Sequence, residues 1–256
     1  MSENLNQCVV VLLMKKAAML GIFFRSLTIQ ISFNFHTMQG MGFAFSMLPL
    51  MCSRKKSELK EKEVFLLRHL QMFSTNPYLV PAVVGSVVRI EEDGERGREA
   101  EDLKKALMGP YAAIGDSFFW GALRLFSSAW AVLLAVFGSF YAPLIFLMLF
   151  SPAQLMVRVG GFFHGFCSGW GGFNYIRALD LPRESEMLRY GALFILSIVG
   201  AVLSVSVEYS GQLLPQNVGY IIGSVIFLIS LVGGRRAISS EKLLYGIAIF
   251  CMVLSI

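Results

Sequence analysis

The chain has 256 residues, 55% of them hydrophobic, and a formal net charge of +5 at pH 7. Soluble domains sit nearer roughly 45–50% apolar, and here the excess is gathered into blocks, so composition favours membrane insertion over a soluble globule. The Lys and Arg residues form no stripe interleaved with aromatic side chains, which argues against nucleic-acid binding; an excess of cations fits loops kept on the cytoplasmic side of a membrane.

At the N-terminus, Val9–Met14 is a short apolar run followed, not preceded, by Lys15 and Lys16, with no small-residue cleavage pattern. A cleaved signal peptide is not expected, and residues 1–19 read as a lead-in lying on a surface. Leu20–Met51 is apolar but punctuated by Gln30, Asn34, His36 and Gln39. About half of all ionisable residues then fall between Arg54 and Lys105, marking a charged helix-loop-helix segment. Within it Ser57–Phe73 reads as an amphipathic helix, in water or at the membrane surface. Glu58 and Lys62 have the spacing of a helical ion pair, Val64, Leu67, Leu70 and Phe73 form the apolar face, and His69 is expected to be solvated. Asn76-Pro77 ends this helix, because proline disfavours helix in the residue before it. The apolar run Tyr78–Val88 is too short to cross a bilayer that needs about 20 residues, and predicts a re-entrant or partly buried helix. Glu91–Arg98 reads as a solvated loop, and Ala100–Leu107 as a helix leading into Gly109-Pro110.

Beyond this point charges become rare. Residues 117–150 carry only Arg124, and residues 190–234 only Glu208. Ala112–Phe150 is too long for one crossing and is punctuated by Gly138 and Pro143, which predicts a broken helix followed by a full span. Pro152–Trp170 repeats small residues, Gly160, Gly161, Gly165 and Gly169, of the kind that let helices approach closely in lipid. Asn174–Arg189 is polar, and Tyr190–Tyr209, Val218–Gly233 and Leu243–Ile256 read as further apolar segments. The sequence therefore predicts an all-α, multi-pass membrane bundle with broken or re-entrant segments and an amphipathic cytoplasmic helix. Residues 20–256 form one membrane domain, with residues 106–256 mainly transmembrane. The four cysteines share no ligand spacing and are expected to be reduced apolar filler.

The stretch Leu107–Leu125, LMGPYAAIGDSFFWGALRL, is the most informative chemically. Asp116 sits in apolar surroundings, where an ionised group costs at least about 2.5–3.5 kcal/mol and survives facing protein, water or a ligand. On a helix Asp116, Trp120 and Arg124 recur every fourth residue and share one stripe. A carboxylate to accept from sugar hydroxyls and an indole for the apolar face of a pyranose would suit a carbohydrate pocket. The plainer account is an internal Asp116–Arg124 ion pair beside an interface tryptophan. In the second stretch, Ser32–Ser46, the side chains of Asn34, His36 and Gln39 are polar groups in an otherwise apolar helix. Amides can donate to and accept from vicinal hydroxyls, or can simply bond between helices. The histidines show no metal spacing, no serine lies in a G-x-S-x-G elbow, and no Walker lysine follows a glycine-rich loop. Neither a cofactor nor autonomous catalysis is expected.

These stretches resemble the IID component of the mannose/fructose/sorbose family of phosphoenolpyruvate-dependent sugar phosphotransferase systems. The matching text is FRS at 24–26, NF at 34–35, MQGMGFAFSMLP at 38–49, RHLQMFSTNPY at 68–78, EEDG at 91–94, LMGP at 107–110 and IGDSFFWGALR at 114–124. The resemblance implies a subunit of the cytoplasmic membrane that pairs with a IIC subunit, in an oligomer of such pairs surrounded by lipid, to bind and import a hexose. IIA and IIB phosphocarrier units would phosphorylate the sugar as it is delivered. Asn34, Gln39, Asp116 and Trp120 are then the candidate sugar contacts, with His36 and Arg124 as ion-pairing or supporting groups. Two departures stand out. The family reads NFERMQ where this chain has Asn34-Phe35-His36-Thr37-Met38-Gln39, and LRP where it has Leu123-Arg124-Leu125. They motivate an alternative, a diverged and transport-deficient membrane protein that docks IIA or IIB for regulation through the charged segment.

Overall fold

The computed structural model describes residues 18–53, 59–92 and 97–206. The expected lead-in lies outside the described residues apart from its last two positions, and so do the apolar segments Val218–Gly233 and Leu243–Ile256. The described elements are α1 (Ala18–Leu27), a 3-10 turn (Ile29–Ser32), α2 (Gly40–Ser53), α3 (Leu59–Leu70), α4 (Val80–Glu92) and α5 (Gly97–Gly115). A π-helical stretch (Asp116–Leu123) joins α5 to α6 (Arg124–Val136), and α7 (Ala142–Ser168), α8 (Gly171–Ala178) and α9 (Leu181–Ser206) follow. The all-α expectation holds for these residues.

Three helical stretches are long and apolar enough to cross a membrane, namely Gly97–Val136, Ala142–Ser168 and Gly171–Leu203. The first, at 40 residues, is twice the roughly 20 residues that a crossing needs. Its charged first turns, Arg98 to Lys105, therefore extend beyond the apolar part. Along α7 the side chains of Leu144, Leu147, Met148, Leu155 and Met156 are exposed, the inverse of a water-soluble helix and the arrangement lipid rewards. The chain is a multi-pass membrane protein.

Two compact units are present. One comprises the residues before Gly121 together with Ser151–Glu184, the other Gly121–Phe150 and the residues from Ser185 onward. The first is centred on α4, in which every residue from Val80 to Glu91 except Arg89 is buried. It packs against α2, α5 and α8, and a side chain at Gly85 or Gly161 would collide with the Phe162 carbonyl or with Ala82. The glycines of α7 therefore hold that helix at backbone distance from α4, as their spacing predicts. In the second unit Ala129, Ala192 and Ile195 form a small core, flanked by Phe126 and Leu133.

The structure corrects several local expectations. Ala100–Leu107 does not stop at Gly109-Pro110, because α5 runs through Pro110 to Gly115. A proline removes one backbone hydrogen bond, but ending the helix there would free several more at membrane depth. The break expected within Ala112–Phe150 appears instead as the π stretch, followed by a turn at Gly138, whose φ of 74° suits a residue without a side chain. Asn34, His36 and Gln39 are not on a helix, since helix resumes only at Gly40. Cys167 is disulfide-bonded, against the expectation of four reduced cysteines, a pairing that sequence separation does not disclose; Cys52 is free and exposed.

Candidate functional site

The segment Phe73–Tyr78 organises the first unit. Its Thr75 backbone exchanges two hydrogen bonds with the Gln39 carboxamide: Gln39 Nε2 donates to the Thr75 carbonyl at 2.8 Å, and the Thr75 N–H donates to Gln39 Oε1 at 3.0 Å. Gln39 is buried, and its own N–H donates to the Phe73 carbonyl at 2.7 Å. Asn34 serves its own loop. Its Oδ1 accepts from the N–H groups of His36 and Thr37, and its Nδ2 donates to Thr37 Oγ1. This turn, with Met38 in the left-handed region at φ 54°, folds the loop back so that Met38 bridges to Phe73. His36 is exposed.

Two residues further along, Asn76 holds Asp116. The N–H of Tyr78 donates to Asn76 Oδ1 at 3.0 Å, and because a backbone N–H can only donate, this fixes which end of the amide is oxygen. Asn76 Nδ2 therefore points to Asp116 Oδ1, 2.8 Å away. Gly115 allows the approach, since a side chain there would run into Asn76. Asp116 opens the π stretch, a distortion that recurs at functional sites, and it lies on the open side of the chain. Trp120 is 39% exposed, with its ring 5.6 Å from that of Tyr78, which also packs on Phe119 at 4.4 Å. Arg158 of α7 places its guanidinium 4.6 Å from the centre of the Tyr78 ring. Arg124 opens α6, in the second unit, and is exposed.

The structure thus brings Asp116 and Trp120 together through Asn76 and Tyr78, and links Gln39 to the same segment. Asn76, Tyr78 and Arg158 were not singled out from the sequence. Asn76 registered there only as a helix breaker, although a carboxamide and a phenol next to a proline are polar groups in an otherwise apolar run. Arg158 was detectable as the lone formal charge of an apolar helix.

A second polar cluster lies outside the apolar spans. Arg68 Nη1 donates to Glu91 Oε1 at 2.6 Å, and His69 Nε2 lies 3.3 Å from the same oxygen. Glu91 is 4% exposed and His69 fully buried, against the readings of a solvated loop and a solvated histidine. His69 is enclosed by the rings of Phe43 and Phe65. Lys104, also buried, donates to the carbonyls of Arg68, His69 and Gln71 at 3.2–3.5 Å, capping the end of α3. Burial pushes the His69 imidazole below its ordinary value, with the neighbouring Glu91 opposing. For Glu91, burial alone would raise the carboxyl, but hydrogen bonding to His69 and the charge of Arg68 outweigh it and hold the group below its ordinary value.

A family model described as the PTS system mannose/fructose/sorbose family IID component matches residues 13–256. The chain belongs to this family. Among its relatives, the mannose-specific EIID component of Escherichia coli K12 is 35% identical over 154 residues, covering 58% of this chain and 54% of the relative; the chain thus spans about half the length of that protein. The fructose permease IID component of Bacillus subtilis 168 is 30% identical over 74% of this chain and 69% of the relative. The sorbose-specific EIID component of Klebsiella pneumoniae is 34% identical over 59% of this chain and 57% of its own. A chain in the cryo-electron microscopy structure of the mannose transporter ManYZ with microcin E492 shares the fold of this IID chain. The TM-score is 0.56 at 22% identity, with 93% and 94% of the two chains covered.

Proposed function

We propose that this IID chain is a membrane subunit of a sugar-translocating permease. It works with a IIC subunit to bind and import a hexose that IIA and IIB units phosphorylate. Asp116 carries the reading. It is a carboxylate within the spanning stretch Gly97–Val136, tethered by Asn76, two residues before the Tyr78 ring that pairs with Trp120. Exposed to hydrocarbon, such a group would be strongly disfavoured; facing a polar path closed by a partner subunit, it accepts from sugar hydroxyls while the indole covers the apolar face of the ring. Relatives named for mannose, fructose and sorbose support a hexose as the cargo class. Gln39 and Asn34 act in this reading as positioning residues, because their amides are engaged by Thr75 and by their own turn. His36 and Arg124 remain supporting groups.

The distribution of charge supplies a direction for the chain. Arg98, Lys104 and Lys105 occupy the charged start of the first spanning stretch, and Arg177, Arg183 and Arg189 the N-terminal part of the third. The turn 137–141 between the first two carries no charge. The positive-inside rule puts the charged ends in the cytoplasm and that turn outside.

Uptake and phosphorylation of mannose, fructose and sorbose, with the IIC subunit present and absent, test the proposal. IIC-dependent accumulation of phosphorylated sugar is the expected result, and no IIC-dependent uptake of any sugar would contradict it.

A further inference from the structure

Arg158 is the only formally charged residue of the spanning helix α7. An arginine at membrane depth is retained facing protein, water or a ligand. Its Nε is buried with no hydrogen-bond partner among the described residues. The Tyr78 ring beneath the guanidinium, at 4.6 Å, favours the charge electrostatically but leaves Nε without a hydrogen bond. Buried donors in native proteins are ordinarily paired, so this one has a use that the described residues do not meet.

The surroundings indicate what that use is. The same short segment, Asn76–Tyr78, orients the Asp116 carboxylate through Asn76 and supports both Trp120 and Arg158 through the Tyr78 ring. An acceptor, two aromatic faces and a donor thus converge on one turn of chain. A carboxylate only accepts and a guanidinium only donates, and hydroxyl groups need both kinds of partner. The two opposite charges also balance, which suits an uncharged polyol rather than an anion or an amine.

We infer that Arg158 is a sugar-contacting residue, its N–H groups donating to hydroxyl oxygens of a hexose lying against the Tyr78–Trp120 aromatic surface. This rests on the reading of Asp116 and Trp120 as part of the sugar path. It adds a residue from α7 to that path.

The test uses the purified IIC–IID complex, with binding of mannose, fructose and sorbose measured by titration for the wild type, Arg158→Met, Arg158→Lys and Asp116→Asn. Arg158→Met should assemble in normal yield and bind at least tenfold more weakly. Arg158→Lys, which keeps a cation over Tyr78 but lacks Nε, should be similarly weak. Unchanged affinity in Arg158→Met, with affinity lost in Asp116→Asn, would overturn this inference while sparing the reading of the site. Full affinity in Arg158→Lys would assign Arg158 to charge balance, and loss of complex yield in both Arg158 variants would assign it to assembly; either overturns the contact. A wild-type complex that binds none of the three sugars overturns the inference and the underlying reading together.

Discussion

The first unit contains two polar clusters that invite opposite conclusions. His69, Glu91 and Lys104 are closed off near phenylalanine rings beside a half-buried Arg68, and Glu91 and Lys104 are matched to partners from other helices. Asp116, Trp120 and Arg158 lie within spanning stretches, are held from one side by Asn76 and Tyr78, and leave Asp116 and Trp120 on the open side. The first arrangement fixes α3 against α4 and α5. The second positions groups without closing around them. A charge in an apolar chain is thus a sign of function only where the structure holds it and leaves it accessible.

Breaking each cluster should sharpen the contrast. Glu91→Gln removes the negative charge of a buried pair and leaves Arg68 without its counter-charge, which typically costs about 3 kcal/mol or more. The complex should lose thermal stability and yield, while the affinity of surviving complex for sugar stays normal. Trp120→Ala should do the reverse, with normal yield and an uptake KM raised about fivefold, on the scale of about 1 kcal/mol for an aromatic contact. Equal losses of yield and affinity would mark Trp120 as an anchor. The smallest effect is in the pH dependence. Both His69 and Glu91 titrate below their ordinary values of 6.5 and 4.5, so in each window the unfolded chain binds more protons and stability falls as pH is lowered. Melting temperature should decline first below about pH 6.5 and again below about pH 4.5, and His69→Phe should flatten the first step alone. A separate check on direction is Ser139→Cys in the turn 137–141. Its thiol should react with an impermeant reagent added outside intact cells, and protection there would reverse the assigned orientation.

The spans were legible because hydrocarbon demands long uncharged runs, and Asp116 stood out because it violates that demand. The run Tyr78–Val88 was read as a re-entrant or partly buried helix from its length, and α4 is a helix buried almost throughout. The side of α3 that packs within the chain is not the one its apolar spacing marks. Val64 and Leu67 supply its apolar periodicity yet are 56% and 57% exposed, while Phe65 and His69 point inward. The inward face is chosen by Phe43, Phe73, Glu91 and Lys104, which come from distant segments and leave no trace in the local pattern. The loop before α2 failed for a related reason. Apolar spacing suggested helix through Asn34–Gln39, but Gln39 is claimed by the backbone of Thr75, thirty-six residues on. The Asn76–Asp116 bond spans forty, and neither residue announces the other.

The central claim is that the carboxylate of Asp116 faces the sugar from within the membrane. Sugar affinity of the purified IIC–IID complex, compared between wild type and Asp116→Asn, tests it most directly. Losing a hydrogen bond to a charged group should weaken binding about thirtyfold, from about 2 kcal/mol, with assembly intact because a neutral amide is easier to bury. An Asp116→Asn complex that forms normally and binds every sugar as tightly as the wild type would contradict the account.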